Sequence, residues 1–367
     1  MTVTAPTGPR SDLDIKDALR GQKLPSWALP VLALVAFGLG AAAVFGLYGE
    51  FRIANFLVLT GLSYVAVQTV TSFSVEGRRQ AADRLCTTLV YGAFVLAVIP
   101  LVLILWYTIQ RGAAIVDMGF LTHSMFLINP DEVGGGIYHA IVGTLTQTAI
   151  TAAIAVPLGI LTAIYLVEYG GRTRFGRTVS FFVDVMTGVP SIVAGLFIYA
   201  FWLIALGFQK SGLAGSLSLA ILMLPVVIRS TEEMLKLVPA DLREAAYALG
   251  VPKWRTVLKV VLPTALPGIV TGVMLGVARV MGETAPLILL VGINQKINFN
   301  PFSFSAETSN PQASLPTFIY EQFQIAAGNP DHPAAARAWG AALVLIAIIM
   351  LLNLTARLIA RFTRARG

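Results

Sequence analysis

The sequence predicts an all-α polytopic membrane protein with eight membrane spans, and three observations carry that reading. Of the 367 residues, 56% are hydrophobic and only 12% are charged, about half the charge of an ordinary soluble domain. Apolar runs of about 20 residues recur along the chain, the length a helix needs to cross the hydrocarbon of a bilayer. The basic residues collect in short segments between those runs, all on one side under a single even-numbered topology, which is the positive-inside signature. The net charge of +7 therefore belongs to loops at a membrane surface and not to a nucleic-acid-binding face. Cys86 is the only cysteine, which excludes an internal disulfide and a cysteine metal cluster. His123, His139 and His332 lack the spacing of metal ligands, so no metal site is expected.

Residues 1–25 are polar, with Arg10, Lys16, Arg20 and Lys23, and read as a cytoplasmic tail. The first span is expected from Trp27 to Tyr48 and the second over about 53–74, with the turn Gly49-Glu50-Phe51-Arg52 between them. Arg78, Arg79 and Arg84 return the chain to the cytoplasm, which leaves residues 26–80 as an accessory pair of spans ahead of a core over 81–367. The third span runs from about Cys86 to Ile109, and the polar segment 111–137 is external. The fourth, about 138–167, contains Pro157 and precedes Arg172, Arg174 and Arg177. The fifth, about 179–206, contains Asp184 and Gly188-Val189-Pro190-Ser191. Proline removes one backbone donor, so a kink is expected there, or a break beside protein or water. The sixth span, about 213–229, ends at Arg229. The seventh, about 265–293, contains Arg279 and Glu283. Residues 294–336 form a second external segment, and the eighth span, about 338–356, ends in Arg357, Arg361, Arg364 and Arg366. Gly272-x-x-x-Gly276 and Ser191-x-x-x-Gly195 place small residues where helices can approach closely.

Between the sixth and seventh spans, residues 231–263 are polar enough to lie in water. Asp241 followed by Glu244 matches a capping-box-like helix start, and Leu242, Ala245, Ala246 and Leu249 make a narrow apolar stripe. Gly250 stands where a helix ends in a left-handed residue, and Pro252 suits the first position of a second short helix. There Trp254, Val257, Leu258 and Val261 form a stripe, and Pro263 limits its continuation. The spacing is Glu244-Ala245-Ala246, three residues, Gly250, nine residues, then Val260-Val261-Leu262-Pro263. This resembles the EAA loop of ABC-importer permeases, with Val260 where the pattern has isoleucine. The resemblance implies a coupling helix that docks on an ATP-hydrolysing subunit.

Ionisable residues within spans are costly unless paired or wetted. Arg279 and Glu283 stand four apart and are expected to share a helix face, as an ion pair or as a charged lining of a solute path. Asp184 is a further partner near the cytoplasmic end of its span, and Arg229 either lines the path or snorkels to headgroups. Glu168, Glu232 and Glu233 read as solvated helix ends. No Gly-x-x-x-x-Gly-Lys-Ser/Thr loop occurs, so the chain has no nucleotide site of its own. No nucleophile–base set is found either, so the reading is not that of an enzyme. A secondary transporter would explain buried charges, but it needs no coupling loop and usually shows internal repeats.

Four further stretches, Gly188-Val189-Pro190-Ser191-Ile192-Val193-Ala194-Gly195, Ile228-Arg229-Ser230-Thr231-Glu232-Glu233-Met234-Leu235, Met281-Gly282-Glu283-Thr284-Ala285-Pro286 and Ser314-Leu315-Pro316-Thr317, resemble the PstA/PstC family of phosphate-importer permeases, the PstA branch most closely. The likeness covers about residues 86–360 and leaves the first two spans outside. It implies a type I ABC importer transmembrane fold: a six-helix core to which this chain adds two N-terminal helices. It also implies a bacterial plasma-membrane location and a phosphate path drawn from Arg229, Arg279, Glu283, Ser191 and Asp184. The implied partners are a second, PstC-like permease, two PstB-like ATPase subunits that hold ATP and Mg, and a PstS-like extracytoplasmic phosphate-binding protein. Besides these and membrane lipid, no cofactor and no nucleic acid is expected. A permease for another oxyanion, sulfate or molybdate, is the alternative.

The Arg clusters generate a topology test. Reporter fusions after Gly77, Gly171, Gly250 and at the C-terminus are expected to read cytoplasmic, and fusions near Gly135 and Asn310 external. Opposite sides for Gly250 and the C-terminus would overturn the eight-span arrangement.

Overall fold

The computed structural model describes residues 24–25, 27–49, 51–171, 173–302, 304 and 309–364, without the side chains of 48 and 359–364. The expected tail over 1–25 lies outside these residues but for Leu24 and Pro25, as do Glu50, Arg172 and Arg366. Among the described residues the structure is all helical. In order the helices are α1 (Ala28–Tyr48), α2 (Ile53–Val75), α3 (Arg78–Gly112), α4 (Met118–Thr122), α5 (Tyr138–Ile164), α6 (Arg174–Thr187), α7 (Ser191–Ile198), α8 (Gly212–Lys236), α9 (Ala240–Ala248), α10 (Lys253–Thr256), α11 (Leu262–Met281), α12 (Ala285–Leu290), α13 (Leu315–Ala326) and α14 (Pro333–Arg364). Seven helices are long and apolar enough to cross a membrane, and eight when the bent pair α6 and α7 counts as one. The chain divides into two compact units, Met1–Leu105 and Trp106–Gly367.

In the first unit, α1 and α2 pair, and Gly40 meets Thr60 so closely that a Cβ would lie 2.1 Å from its Oγ1. The loop after α2 is held by one carboxylate. Glu76 accepts hydrogen bonds from the Leu24 N–H and the Ser72 hydroxyl, each 2.7 Å, and an ion pair from Arg84 at 2.6 Å. Burial alone would raise its pKa, but these donors pull it down to about 2. The group therefore stays ionised at every pH the cell meets.

In the second unit, α8 is the hub, with 67% of its apolar window buried. Against it α5 packs through Ala155, Leu219, Ala220, Met223 and Val227, and α11 and α12 add Val277, Val280, Met281 and Leu287. Glycines permit this approach: a Cβ on Gly159 would stand 2.7 Å from a Val227 methyl, and one on Gly272 2.3 Å from the Ser230 hydroxyl. A second cluster joins Phe120, Ile137, Ala313, Leu315 and Phe318 at one end of this unit. Polar bonds close that end. Gln147 donates to Gln312 at 3.2 Å, and the Leu315 N–H donates to Thr144 at 2.7 Å. Arg337, only 1% exposed, donates to the Gln322 amide oxygen at 2.8 Å and the Glu132 carbonyl at 2.7 Å.

Several expectations change in three dimensions. The fifth span is not a kinked rod: α6 and α7 diverge by 107°. Gly188 closes α6, and the ring of Pro190 disfavours a helical Val189, so the two backbones separate. The first half, α6, presents Phe175, Val179, Phe182, Val183 and Met186 on one side and Arg174, Arg177 and Asp184 elsewhere, the composition of a helix lying along an interface. Each of the two segments expected to be external contains a helix, α4 in the first and α13 in the second, the latter with a capping box formed by Ser314 and Thr317.

Gly143 supports α5 against residues 312–315, where a Cβ would fall 1.8 Å from the Ala313 carbonyl oxygen. Gly143→Ala is expected to destabilise the chain by ~1–3 kcal/mol, as overpacking does. Gly61→Ala, with nothing within 4 Å, serves as the control. Thermal melts of the two purified variants read the difference.

Candidate functional site

The segment between α8 and α11 begins at Pro239, whose backbone (φ −56°, ψ 140°) precedes α9 with no side-chain cap. The capping box expected from Asp241 and Glu244 is therefore absent. The helix starts two residues too early for it, on the preset φ of Pro239, and Asp241 instead stands in the first turn, at the positive end of the helix dipole. The end of α9 follows the sequence closely. Gly250 takes φ +75°, its N–H bonds the Tyr247 carbonyl at 2.9 Å, and the Val251 N–H bonds Ala246 at 3.1 Å. This pair of bonds is the Schellman motif, which needs a residue without a Cβ clash at that position.

Pro263 does not limit the next helix. Residues 253–281 form one continuous rod, because a wide π-helical turn covers Val257–Val261 and the Leu262 N–H reaches the Val257 carbonyl. A turn of that kind absorbs the donor that Pro263 lacks. The apolar stripe of α9 is split. Ala246 is buried, whereas Leu242, Glu244, Ala245 and Leu249 are exposed, Leu249 by 83%. Trp254 and Leu258 are exposed beside them, Pro263 is exposed, and Leu262 is half-buried. Leu242, Ala245, Leu249, Trp254 and Leu258 thus leave apolar surface exposed on this segment, and Glu244 is exposed on a different side of α9.

A buried acid fixes this face to the bundle. Glu168 lies in the π-helical end of α5 (Tyr165–Gly170), and its side chain is 6% exposed. The Arg243 guanidinium of α9 donates to one of its oxygens at 3.0 and 3.2 Å. Arg243 also donates to the Val238 carbonyl at 2.7 Å and the Leu235 carbonyl at 2.9 Å, closing the end of α8. Lys253 at the start of α10 donates to the Glu168 carbonyl and stands 4.9 Å from the Tyr169 ring centre. Glu168 is thus an anchor and not a solvated helix end. Its partner is 75 residues away, so local spacing carried no signal for it.

One and a half turns earlier on α8, Arg229 is also engaged. It pairs with Asp184 of α6 and, at 2.5 Å, with Glu232, and donates to the Ser180 carbonyl at 3.1 Å and hydroxyl at 3.0 Å. Lys236 holds the second oxygen of Glu232 at 2.7 Å, so Glu232, 8% exposed, is no solvated end either. Glu233 is exposed, as expected. Arg229 therefore clamps α6 to α8 and is not a free cation.

The other path candidates lie apart from this cluster. Among the described residues no hydrogen bond or ion pair joins Arg279 to Glu283. The helix stops at Met281 and Gly282 caps it, so Glu283 leaves the face that continued helical spacing would give it. Arg279 is exposed and Glu283 half-buried. Ser191 starts α7, whose Gly195 rests on Pro286, where a Cβ would come within 2.8 Å of the Pro286 Cα.

A family model described as "Binding-protein-dependent transport system inner membrane component" matches residues 155–366. The chain is 49% identical over 290 residues to "Phosphate transport system permease protein PstA 1" of Mycobacterium tuberculosis (strain CDC 1551 / Oshkosh), covering 79% of this chain and 91% of that relative. It is 37% identical over 281 residues to the PstA protein of Yersinia pestis, covering 77% and 90%. A solved bacterial alginate ABC transporter, in complex with an alginate pentasaccharide-bound periplasmic protein, aligns with a TM-score of 0.52 at 16% identity, over 78% of this chain and 99% of that one. That likeness speaks to the fold alone, the type I ABC-importer transmembrane fold. On these matches the chain belongs to the family of binding-protein-dependent transport system inner-membrane components, on the branch of the PstA phosphate transport permeases.

Proposed function

We propose that this chain is the translocating permease subunit of an ATP-driven phosphate importer in a bacterial plasma membrane, with both termini in the cytoplasm. The observation that carries the reading is the open face of residues 242–258 anchored through Glu168, set in a chain 49% identical to a PstA permease. The exposed apolar side chains of Leu242, Leu249, Trp254 and Leu258, with Glu244 exposed on the same segment, fit a docking cleft on an ATPase subunit. ATP and Mg then reside on that partner. A complete importer on this reading holds a second, PstC-like permease, two PstB-like ATPases and a PstS-like binding protein. Glu244, Ala245, Ala246, Gly250, Leu262 and Pro263 form the coupling segment, and residues 231–263 transmit its movement. The relatives are named for phosphate, which disfavours the sulfate or molybdate alternative.

The phosphate path is drawn from Arg229, Asp184, Ser191, Arg279 and Glu283. Near neutral pH phosphate is anionic and still carries at least one proton, so cations and N–H donors attract it and a carboxylate can accept its O–H. Sulfate lacks that proton, and a carboxylate repels it. Glu283, half-buried beyond α11, suits the acceptor role. Arg229 meets the anion only by giving up a carboxylate. That exchange makes it a gate, opened when α6 leaves α8, in place of a standing binding site.

Two outcomes are expected. Gly250→Val forces a β-branched residue to φ +75°, which it strongly disfavours, and Glu168→Gln leaves Arg243 without a carboxylate. Both complexes should assemble, yet lose phosphate uptake and the response of ATP hydrolysis to binding protein. Normal uptake by a fully assembled Gly250→Val complex would count against this segment as the coupler.

Arg229→Gln is expected to lower phosphate uptake by on the order of tenfold, the cost of a charge-assisted bond of ~1.5 kcal/mol, with assembly and basal ATPase activity retained. Arg279→Gln should assemble normally, since no bond to Glu283 is lost. Normal phosphate uptake in an assembled Arg229→Gln complex would remove Arg229 from the path.

A further inference from the structure

Residues 293–302 read Ile-Asn-Gln-Lys-Ile-Asn-Phe-Asn-Pro-Phe, a stretch without a carboxylate in which asparagine alternates with apolar residues. The structure sorts the two kinds. Asn294 and Asn298 donate to the Pro311 carbonyl at 2.7 and 3.0 Å, and Gln312 donates to the Asn298 carbonyl at 2.9 Å. Asn310 donates to the Asn300 and Phe302 carbonyls at 2.8 and 3.2 Å. The N–H groups of Lys296, Asn300 and Phe302 donate to the side chains of Asn294, Asn298 and Asn300. The loop thus satisfies much of its own backbone from within. It turns Ile293, Ile297, Phe299, Phe302 and Phe304 outward, Phe299 by 68%.

Its height follows from α8. The Leu213 N–H donates to the Pro301 carbonyl at 2.9 Å, so the loop rests on the first turn of that helix. Phe304 meets Trp202 with ring centres 5.8 Å apart, and Trp202 shares a buried cluster with Ala214 and Leu290. From Gly212 to Ile228, the last residue before the Arg229 cluster, α8 rises roughly 25 Å, close to the ~30 Å thickness of the hydrocarbon. With the Arg229 cluster at one polar boundary, the loop stands at the other.

We infer that residues 297–302 form a pre-ordered membrane-contacting loop that seats Ile297, Phe299 and Phe302 among the lipid acyl chains of the leaflet opposite the coupling segment. Irregular backbone tolerates that medium only when its polar groups are paired internally, which is what the asparagines do. Aromatic side chains collect at this depth in membrane proteins.

The test uses the assembled transporter in vesicles of phosphatidylcholine and phosphatidylglycerol. Cys86, the only cysteine of this chain, is replaced by serine, and a nitroxide is attached in separate proteins at Ile297→Cys, Phe299→Cys, Phe302→Cys and, as an aqueous reference, Asp331→Cys. Relaxation by oxygen, which concentrates in lipid, is compared with relaxation by a water-soluble nickel chelate. Oxygen should dominate several-fold at 297, 299 and 302, with the order reversed at 331. Nickel access at 299 and 302 would place the loop in water and overturn the inference. Shielding from both reagents would place it against another protein chain and overturn it equally. The three loop positions are independent, so failure of one variant to assemble leaves the others to decide.

Discussion

The segment between α8 and α11 depends on one buried carboxylate. Glu168 sits in a wide turn at the end of α5, almost out of contact with solvent, and an ionised acid there is costly unless it is paired and hydrogen-bonded. Arg243 supplies the pair, and the same guanidinium takes up the carbonyls at the end of α8. Lys253 binds the backbone of the same acidic residue. Three chain segments that would otherwise hang from flexible joints are thereby held to one point. Removing either partner leaves a buried charge alone, a penalty of ~3–5 kcal/mol, so the loop stays seated on α5.

The sequence was most legible where a feature rests on the residue itself. Hydropathy located the spans to within a few residues at most ends, and Gly250 announced a left-handed position that the Schellman bonds fill. Legibility failed where a distant partner decides. Glu168 looks like an ordinary helix end until Arg243 is folded against it. Pro263 looks like a stop until a π-helical turn supplies the slack. The Arg279 and Glu283 pairing assumed a helix that Gly282 ends. By contrast, the Arg229, Glu232 and Lys236 ladder was available in the sequence at spacings of three and four, and only its contact with α6 was not.

The Arg229 cluster changes what a membrane-depth arginine means here. Its two carboxylates and the added Lys236 balance in charge, so the group presents little net field to a passing anion. Asp184 is the loose member, with a side chain 64% exposed against 11% for Glu232. Separation of α6 from α8 therefore frees the arginine at the cost of exposing an already wet acid, whereas separation from Glu232 would strand a buried one. The asymmetry makes the Asp184 contact the easier of the two to part.

The continuity of residues 253–281 has a mechanical consequence. A rod of that length measures roughly 43 Å, with Trp254 at one tip and Arg279 near the other. Lys253 ties the first tip to the Glu168 carbonyl, and Pro263 divides the rod into a short arm, 253–262, and a long arm, 264–281. Because no hinge falls at Pro263, a displacement imposed on the short arm cannot be lost in bending there. A movement of the Lys253 tip would therefore be carried along the rod to the residues around Arg279.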